Sequence, residues 1–377
     1  MAFVHQPLIA QIRRIRLLKI IAPISPSEFW GPLSCEIKTV NMESAPPYFA
    51  LSYTWGDLGD PTYIIHINGG AYRVKKNLYH FLCYFRGDSR YHGTYLWIDQ
   101  ICINQSDLDE RSYTVRFMPT IYWRSTCVIT WLGIDTDTVA AALDFAATRS
   151  ADALTVLLSN RYFTRLWIVQ EVLLAREVHV LAGTVWLGFQ DMEETAREQV
   201  DKMLYGVRNP SLYLLWDSIH NRQSRHLAQC IDRYSSNHCE KPQDRVYSLL
   251  GLVKPEEQLA IDYEKSVPEV FVDAVKVLAR SHWRQHPYTR FSKEPPYITT
   301  FMSLAKNMGF AQQLDTLRKL TKEIYNTKPS AAWYQKVLQY LESSYGASYS
   351  HITDDDYDEE EEVQEEEEDG GYQYLSI

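Results

Sequence analysis

Short apolar segments alternate with helical segments between residues 48 and 183, and this alternation constrains the fold more than any other feature of the chain. The runs YFALSY, YLWID and VITWLG have the length of buried strands, and apolar residues recur at helical spacing between them. Strands that alternate with helices are typical of a parallel sheet with helices on its faces. The sequence therefore predicts an α/β fold for this segment.

The flanking segments follow other patterns. Two alternating runs, IRLLKII and LSCEIKTV, lie on either side of a turn-rich stretch and predict an N-terminal β-hairpin over 12–40. A second hairpin is predicted around Asn68-Gly69-Gly70, because Asn-Gly favours a tight turn. Beyond residue 190 the pattern predicts a mainly α-helical region. Apolar spacing predicts single helices over 138–159, 164–176 and 211–234.

These patterns divide the chain into six predicted segments. They are an N-terminal β extension (1–47), the α/β domain (48–190), a helical region packed on it (191–283), a linker (284–300), C-terminal helices (301–350) and an acidic tail (351–377). The tail has thirteen acidic residues and no base between 354 and 369, whereas the whole chain has a formal charge of −10. Because a run of like charge repels itself and stays solvated, we expect the tail to be disordered.

Composition and missing motifs argue against several classes of function. No basic stripe indicates nucleic acid as a partner, and no apolar run reaches the ~20 residues that span a bilayer. Six scattered cysteines favour reduced thiols in a cytoplasmic protein. Cys230, His238 and Cys239 lack the paired spacing of structural zinc ligands, so no metal site is predicted. Phosphate-loop, GxGxxG, HExxH and GxSxG motifs are absent from the sequence.

Polar residues follow the carboxyl ends of the predicted parallel strands, where ligand sites form in open α/β sheets. We predict that this edge contributes substrate-binding residues, namely Trp55, Gly56, Asp57, Asp99, Asn104 and Gln105. Each has a structural alternative. Asp99 could cap a loop or pair with an arginine, Trp55 could belong to the core, and Gly56 could serve a turn.

The apolar helix predicted after Arg161 contains the main catalytic candidate. Trp167 and Glu171 are four residues apart and so lie on one helix face, and Gln170 stands beside Glu171 among apolar neighbours. A carboxylate in such surroundings acquires a raised pKa or needs donors, which Arg161 and Arg165 could supply. A structural ion pair is therefore the alternative to catalysis. A carboxylate beside an indole also suits a reaction at a sugar ring.

Five segments together resemble the fungal heterokaryon incompatibility (HET) domain family. They are YFALSYTWG (48–56), LWIDQICINQSDLDER (96–111), MPTIY (118–122), VITWLG (128–133) and RLWIVQE (165–171). The segments IRLLKI and PQDRVYSLLGL also resemble sequences that flank such domains. The resemblance implies that 48–190 is a HET domain and that the protein acts in non-self recognition or cell-death signalling in a filamentous fungus.

HET domains are also distantly similar to TIR domains, which have a flavodoxin-like fold and can cleave NAD. This second resemblance implies that Glu171 is the catalytic carboxylate, that Trp167 and Gln170 bind substrate, and that NAD is a substrate and not a resident cofactor. Expected partners are other incompatibility proteins or further copies of the chain. The alternatives are a non-enzymatic assembly module and an inactive relative. Catalysis would require that the carboxyl of Glu171 faces a pocket that solvent can reach.

Overall fold

Nine strands form one mixed sheet in the part of the chain that the structure describes. The structure is a computed structural model, and it describes residues 1–8, 13–22, 32–57, 59–203, 210–220, 225–285, 298–318 and 331–349. The strands are β1 (Arg14–Ile20), β2 (Ser34–Asn41), β3 (Tyr48–Tyr53), β4 (Thr62–Ile67), β5 (Gly70–Lys75), β6 (Tyr95–Trp97), β7 (Cys127–Gly133), β8 (Val178–Ala182) and β9 (Val185–Gly188). Their order across the sheet is β5-β4-β2-β1-β6-β3-β7-β8-β9.

The centre of this sheet is parallel, as the alternating pattern predicts. Strands β6, β3, β7 and β8 are neighbours and run in the same direction. Tyr53, the last residue of β3, is in register with Trp131 of β7, and β7 continues for two more residues to Gly133. The carboxyl edge of these parallel strands is therefore a common platform for the segments that leave them.

Antiparallel hairpins flank the parallel centre on both sides, so the sheet as a whole is mixed. Strands β4 and β5 form the hairpin predicted at the Asn68-Gly69 turn, where both residues have positive φ. The N-terminal strands β1 and β2 pair with each other as predicted, and β1 also pairs antiparallel with β6. The strands assigned to an N-terminal extension thus lie inside the main sheet.

Helices and 3₁₀ turns connect the strands and form most of the chain after β9. The helices are α1 (Lys76–Gly87), α2 (Asp99–Cys102), α3 (Leu108–Arg124), α4 (Thr136–Thr148), α5 (Ala151–Leu158), α6 (Ile168–Leu173), α7 (Phe189–Met203), α8 (Pro210–His220), α9 (Leu227–Tyr234), α10 (Asp244–Tyr247), α11 (Val267–Gln285), α12 (Ile298–Asn307) and α13 (Ala331–Tyr349). Residues 314–318 are also helical. No helix in these described ranges combines the length and the apolar character needed to cross a membrane.

Three helices predicted as continuous are divided or shortened. The helix predicted over 138–159 breaks at Arg149, which is left-handed with φ 57°, and Ser150 caps α5. The helix predicted over 164–176 begins only at Ile168, because Thr164 and Leu166 exchange backbone hydrogen bonds with His238. The helix predicted over 211–234 appears as α8 and α9, with 221–224 outside the described residues.

The sheet separates two apolar cores. Val180 and Ala182 of β8 pack in one core with α4, α5 and the helices that follow β9. Leu181, between them, packs in the other core with α1 and α3. Alternate residues of a strand point to opposite faces, so this division follows from the strand itself. The predicted linker falls largely outside the described residues and the acidic tail wholly so.

Candidate functional site

Glu171 lies in α6 at the edge where β3 and β7 end. Its side chain is 2% exposed, and its Oε2 accepts a hydrogen bond from the Ser52 hydroxyl. The Ser52 hydroxyl also contacts the Tyr162 hydroxyl at 2.6 Å, and Tyr162 contacts Thr130 Oγ1 at 3.1 Å. Burial raises the pKa of Glu171 to about 7, although the charge of Arg165 and the bond from Ser52 oppose the rise. The carboxyl group is therefore close to half ionised at neutral pH.

Arg165 is the cation whose charge acts on the Glu171 carboxyl, but it does not donate the hydrogen bond to this carboxyl that the sequence suggests. Its Nη1 donates to the backbone carbonyl of Tyr53, at the end of β3, and its charge acts on both Glu171 and Asp99. The hydrogen bond to Glu171 comes from Ser52 and not from either predicted arginine. Arg161 instead pairs with Asp57. A serine in the alternating run of β3 had no sequence signal that distinguished it from an ordinary strand residue.

Asp99 is held at the start of α2 by the residues that the sequence predicts around it. Its Oδ2 accepts from Trp55 Nε1 at 2.9 Å, and its Oδ1 accepts from the Gln100 amide at 2.7 Å. Gln105 Nε2 donates to the Asp99 carbonyl at 3.0 Å. Burial raises the pKa of Asp99, and Arg165 and the bond from Trp55 oppose this effect. Trp55, Asp99 and Gln105 thus form one connected cluster that reaches Glu171 through the charge of Arg165.

The one-turn helix α2 is fixed by side chains, because a helix of this length has few internal hydrogen bonds. Each of its four carbonyl groups accepts a bond from a side chain at 2.8–3.0 Å. The donors are Gln105 to Asp99, Tyr72 to Gln100, His5 to Ile101 and Arg16 to Cys102. Residues before β3 therefore help to orient Asp99.

The rest of the LWIDQICINQSDLDER motif serves this local structure. Asp107 caps α3 by accepting from the Glu110 amide at 3.0 Å. Glu110 forms a buried, two-pronged pair with Arg16, at 2.6 and 2.8 Å, and accepts from the Asn104 amide at 2.6 Å. The side chain of Asn104 accepts from the Ser106 amide within the same turn. Asn104, predicted to bind substrate, thus shapes the loop that follows α2.

Trp167 is held by a residue that the sequence argument missed. Its Nε1 donates to Asp244 Oδ2 at 3.1 Å, and the hydroxyl of Tyr263 donates to Asp244 Oδ1 at 2.6 Å. Burial raises the pKa of Asp244, against the effect of both bonds. Asp244 belongs to the PQDRVYSLLGL segment, so a part of the chain beyond β9 completes the surroundings of α6. That segment was noted as a flanking resemblance, but nothing in it indicated a bond to Trp167.

The remaining predicted residues are arranged differently. Gln170 is 1% exposed, and neither amide atom has a hydrogen-bond partner in the described residues. Its Oε1 and the ring of Pro119 both lie close to Gly251. Asp57 is exposed in its pair with Arg161, at 2.8 Å, which lowers the pKa of Asp57. Gly56 has φ +87° in the turn after β3, a conformation that disfavours side chains. Neither Asp57 nor Gly56 contacts Glu171 through a described bond.

The Glu171 carboxyl does not face solvent in this structure, because its side chain is only 2% exposed. Arg165, Trp167, Trp55 and Asp99 are only partly exposed and lie around the buried carboxyl. Cavities of about 670 Å³ beside β2 and about 620 Å³ between α6, β8 and α7 are lined by other residues. A substrate could reach Glu171 only if part of this surrounding layer moved.

These features define a class of protein: an α/β domain in which a buried carboxyl group with a raised pKa lies beside the carboxyl edge of the parallel strands. Residues 48–171 match the family model described as Heterokaryon incompatibility protein (HET). This match confirms the resemblance to the HET family for residues 48–171.

A curated relative supports the same assignment. Heterokaryon incompatibility protein 6, OR allele, of Neurospora crassa is 37% identical over 127 residues, which cover 30% of this chain and 18% of the relative. The chain thus spans less than a fifth of the length of this relative. No solved structure matches the chain.

Proposed function

We propose that the protein acts in fungal heterokaryon incompatibility, as a non-self recognition and cell-death signal, and that its HET domain cleaves NAD at Glu171 once part of the layer that covers this buried carboxyl moves aside. The single observation that carries the enzymatic part is the buried Glu171 carboxyl, whose pKa burial raises to about 7. A titratable group that is shifted towards neutral pH beside a second carboxyl is typical of a functional site. The family match and the incompatibility relative support the biological setting.

The order of the parallel strands supports a flavodoxin-like or TIR-like arrangement as part of this proposal. Along the chain, the four strands of the parallel centre are β3, β6, β7 and β8. Across the sheet they lie in the order β6-β3-β7-β8, which is second, first, third and fourth in chain order. Flavodoxin-like sheets begin with this order and bind ligands between the first and third strands. Ser52, which bonds to Glu171, lies on the first strand and is paired with Thr130 of the third.

The proposed reaction breaks the bond between nicotinamide and ribose. The pyridinium nitrogen takes the electron pair and leaves as neutral nicotinamide, while ionised Glu171 stabilises the positive charge that develops on the ribose. Water then attacks the sugar carbon and gives up a proton, which the carboxylate can accept. Because the ionised form is required, activity should rise as pH increases through about 7. Arg165 keeps part of the population ionised.

The burial of Glu171 supports a second candidate function, a non-enzymatic assembly module in the same pathway. With 2% exposure and a hydrogen bond from Ser52, the carboxyl can act as a structural group that joins α6 to β3. The partners would then be other incompatibility proteins or further copies of this chain, bound through exposed faces. In this case the Glu171 cluster would stabilise the domain and take no part in chemistry.

Nicotinamide release separates the two candidates. Purified protein at high concentration is incubated with NAD, alongside Glu171→Gln and the control Glu177→Gln, which removes an exposed acid six residues along the chain. Catalysis predicts release by the wild type and by Glu177→Gln, with loss of release in Glu171→Gln. Equal release by all three proteins would remove Glu171 from the catalytic role. No release by any of them, with toxicity retained by Glu171→Gln in a fungal host, would favour the assembly module.

A further inference from the structure

Two cations converge on one tyrosine ring beside the candidate centre. The guanidinium carbon of Arg111 lies 5.9 Å from the centre of the Tyr263 ring, and Lys241 Nζ lies 5.1 Å from the same point. All three side chains are partly exposed. Arg111 lies in the first turn of α3, whereas Lys241 and Tyr263 come from the segment around α10. Two separate parts of the chain therefore bring positive charge to one place.

These cations lack the carboxylate partners that surface cations often have. No ion pair within 4 Å in the described residues involves Arg111 or Lys241. Asp244 is bound to the same tyrosine and feels the charge of Lys241, but both of its oxygens accept hydrogen bonds from neutral donors, Tyr263 and Trp167. Two cations beside one ring therefore favour the approach of an anion that carries more than one charge.

The two cations are connected to the candidate centre by a chain of direct contacts. Tyr263 binds Asp244, Asp244 binds Trp167, and Trp167 stands one helical turn before Glu171. Arg111 ends the LWIDQICINQSDLDER motif, and no described hydrogen bond uses its side chain to hold α2 or cap α3. The two cations thus lie two hydrogen bonds away from Trp167, at the side of the candidate centre formed by Asp244 and Tyr263.

We propose that Arg111, Lys241 and Tyr263 form a phosphate-binding subsite, here named the cation bracket, for the diphosphate group of a dinucleotide substrate. The choice of ligand rests on the proposed function, because cleavage at a nicotinamide ribose brings a diphosphate with the substrate. The planar guanidinium of Arg111 suits two phosphate oxygens, and the ammonium of Lys241 supplies a mobile point charge. The Tyr263 ring holds both cations in place without neutralising them.

The test is calorimetric binding of ADP, which carries the diphosphate and lacks nicotinamide. The double variant Arg111→Gln/Lys241→Gln is compared with a control of equal charge change, Arg13→Gln/Lys38→Gln. The control cations also stack on rings, with Arg13 5.4 Å from the Phe117 ring and Lys38 4.1 Å from the Tyr95 ring. Arg13 directly precedes β1, and Lys38 lies in β2. Thermal unfolding of each protein establishes that it is folded. Adenosine binding to the wild type measures the phosphate contribution without any substitution.

The proposal expects the bracket variant to bind ADP at least about tenfold more weakly, and the control to match the wild type. Glu171→Gln should retain ADP binding, and adenosine should bind the wild type much more weakly than ADP. Equal ADP affinity in the bracket variant, equal affinity for adenosine and ADP, or no ADP binding at about 5 mM would each overturn the bracket. Loss of ADP binding in the bracket variant, combined with no nicotinamide release by the wild type, would refute NAD cleavage and retain the bracket.

Discussion

Replacing Glu171 by glutamine should make the protein more stable at alkaline pH and should remove part of the pH dependence of its stability. The carboxyl has a pKa of about 7 in the folded state and an ordinary value of 4.5 when solvent-exposed. The folded state therefore binds more protons than the unfolded state between these two values. Its free energy of unfolding falls as pH rises through this window. Glutamine cannot ionise, and its amide oxygen can still accept the bond from Ser52.

The size of the effect follows from the separation of the two pKa values. This difference in pKa lowers the free energy of unfolding of the wild type by about 3 kcal/mol once pH exceeds the folded pKa. Most of this loss develops between about pH 5 and 8. Urea unfolding of both proteins at several pH values in this range measures it. The free energy of unfolding of Glu171→Gln, relative to that of the wild type, should increase by about 2 kcal/mol from pH 5 to pH 8. Parallel stability curves would refute the inference that the buried carboxyl titrates near neutrality.

Three further substitutions test the packing and bonds around the site. Glu110→Gln leaves the buried Arg16 without its charged partner and should cost about 3–5 kcal/mol in urea unfolding, whereas a loss below about 1 kcal/mol would contradict a tight pair. Trp167→Phe removes the donor to Asp244 and should cost about 1–3 kcal/mol; an unchanged unfolding midpoint would show that the bond is not formed. Phe145 is a fully buried residue of α4, so Phe145→Ala should lower the free energy of unfolding by about 3–5 kcal/mol, and a cost near zero would place it outside the core.

Local signals predicted the elements of this fold better than their arrangement. The Asn68-Gly69 turn and the strands β3, β6 and β7 follow from patterns among neighbouring residues, and the structure contains all of them. The position of β1 between β2 and β6 depends on pairing between distant segments. Nothing in the alternation of IRLLKII specifies which strand it will join, because the same pattern suits any half-buried neighbour.

Helix limits were missed where tertiary contacts take up backbone groups. The segment before α6 looks helical, but Thr164 and Leu166 exchange backbone hydrogen bonds with His238, so these groups cannot begin a helix. Pro119 lies within α3, where a proline normally kinks or ends a helix, yet this helix continues to Arg124. Its ring packs closely against Gly251, a contact that sequence spacing cannot show.

The amino-acid sequence by itself determined which polar groups occur beside apolar runs, and this was enough to select Asp99, Trp167 and Glu171 and to indicate the HET family. Only the tertiary structure decided their partners. The donor to Glu171, Ser52, is 119 residues away in sequence, and the acceptor of Trp167, Asp244, is 77 residues away. Burial and pKa depend on everything packed around a group, so the closed state of the Glu171 carboxyl emerges only when distant segments meet.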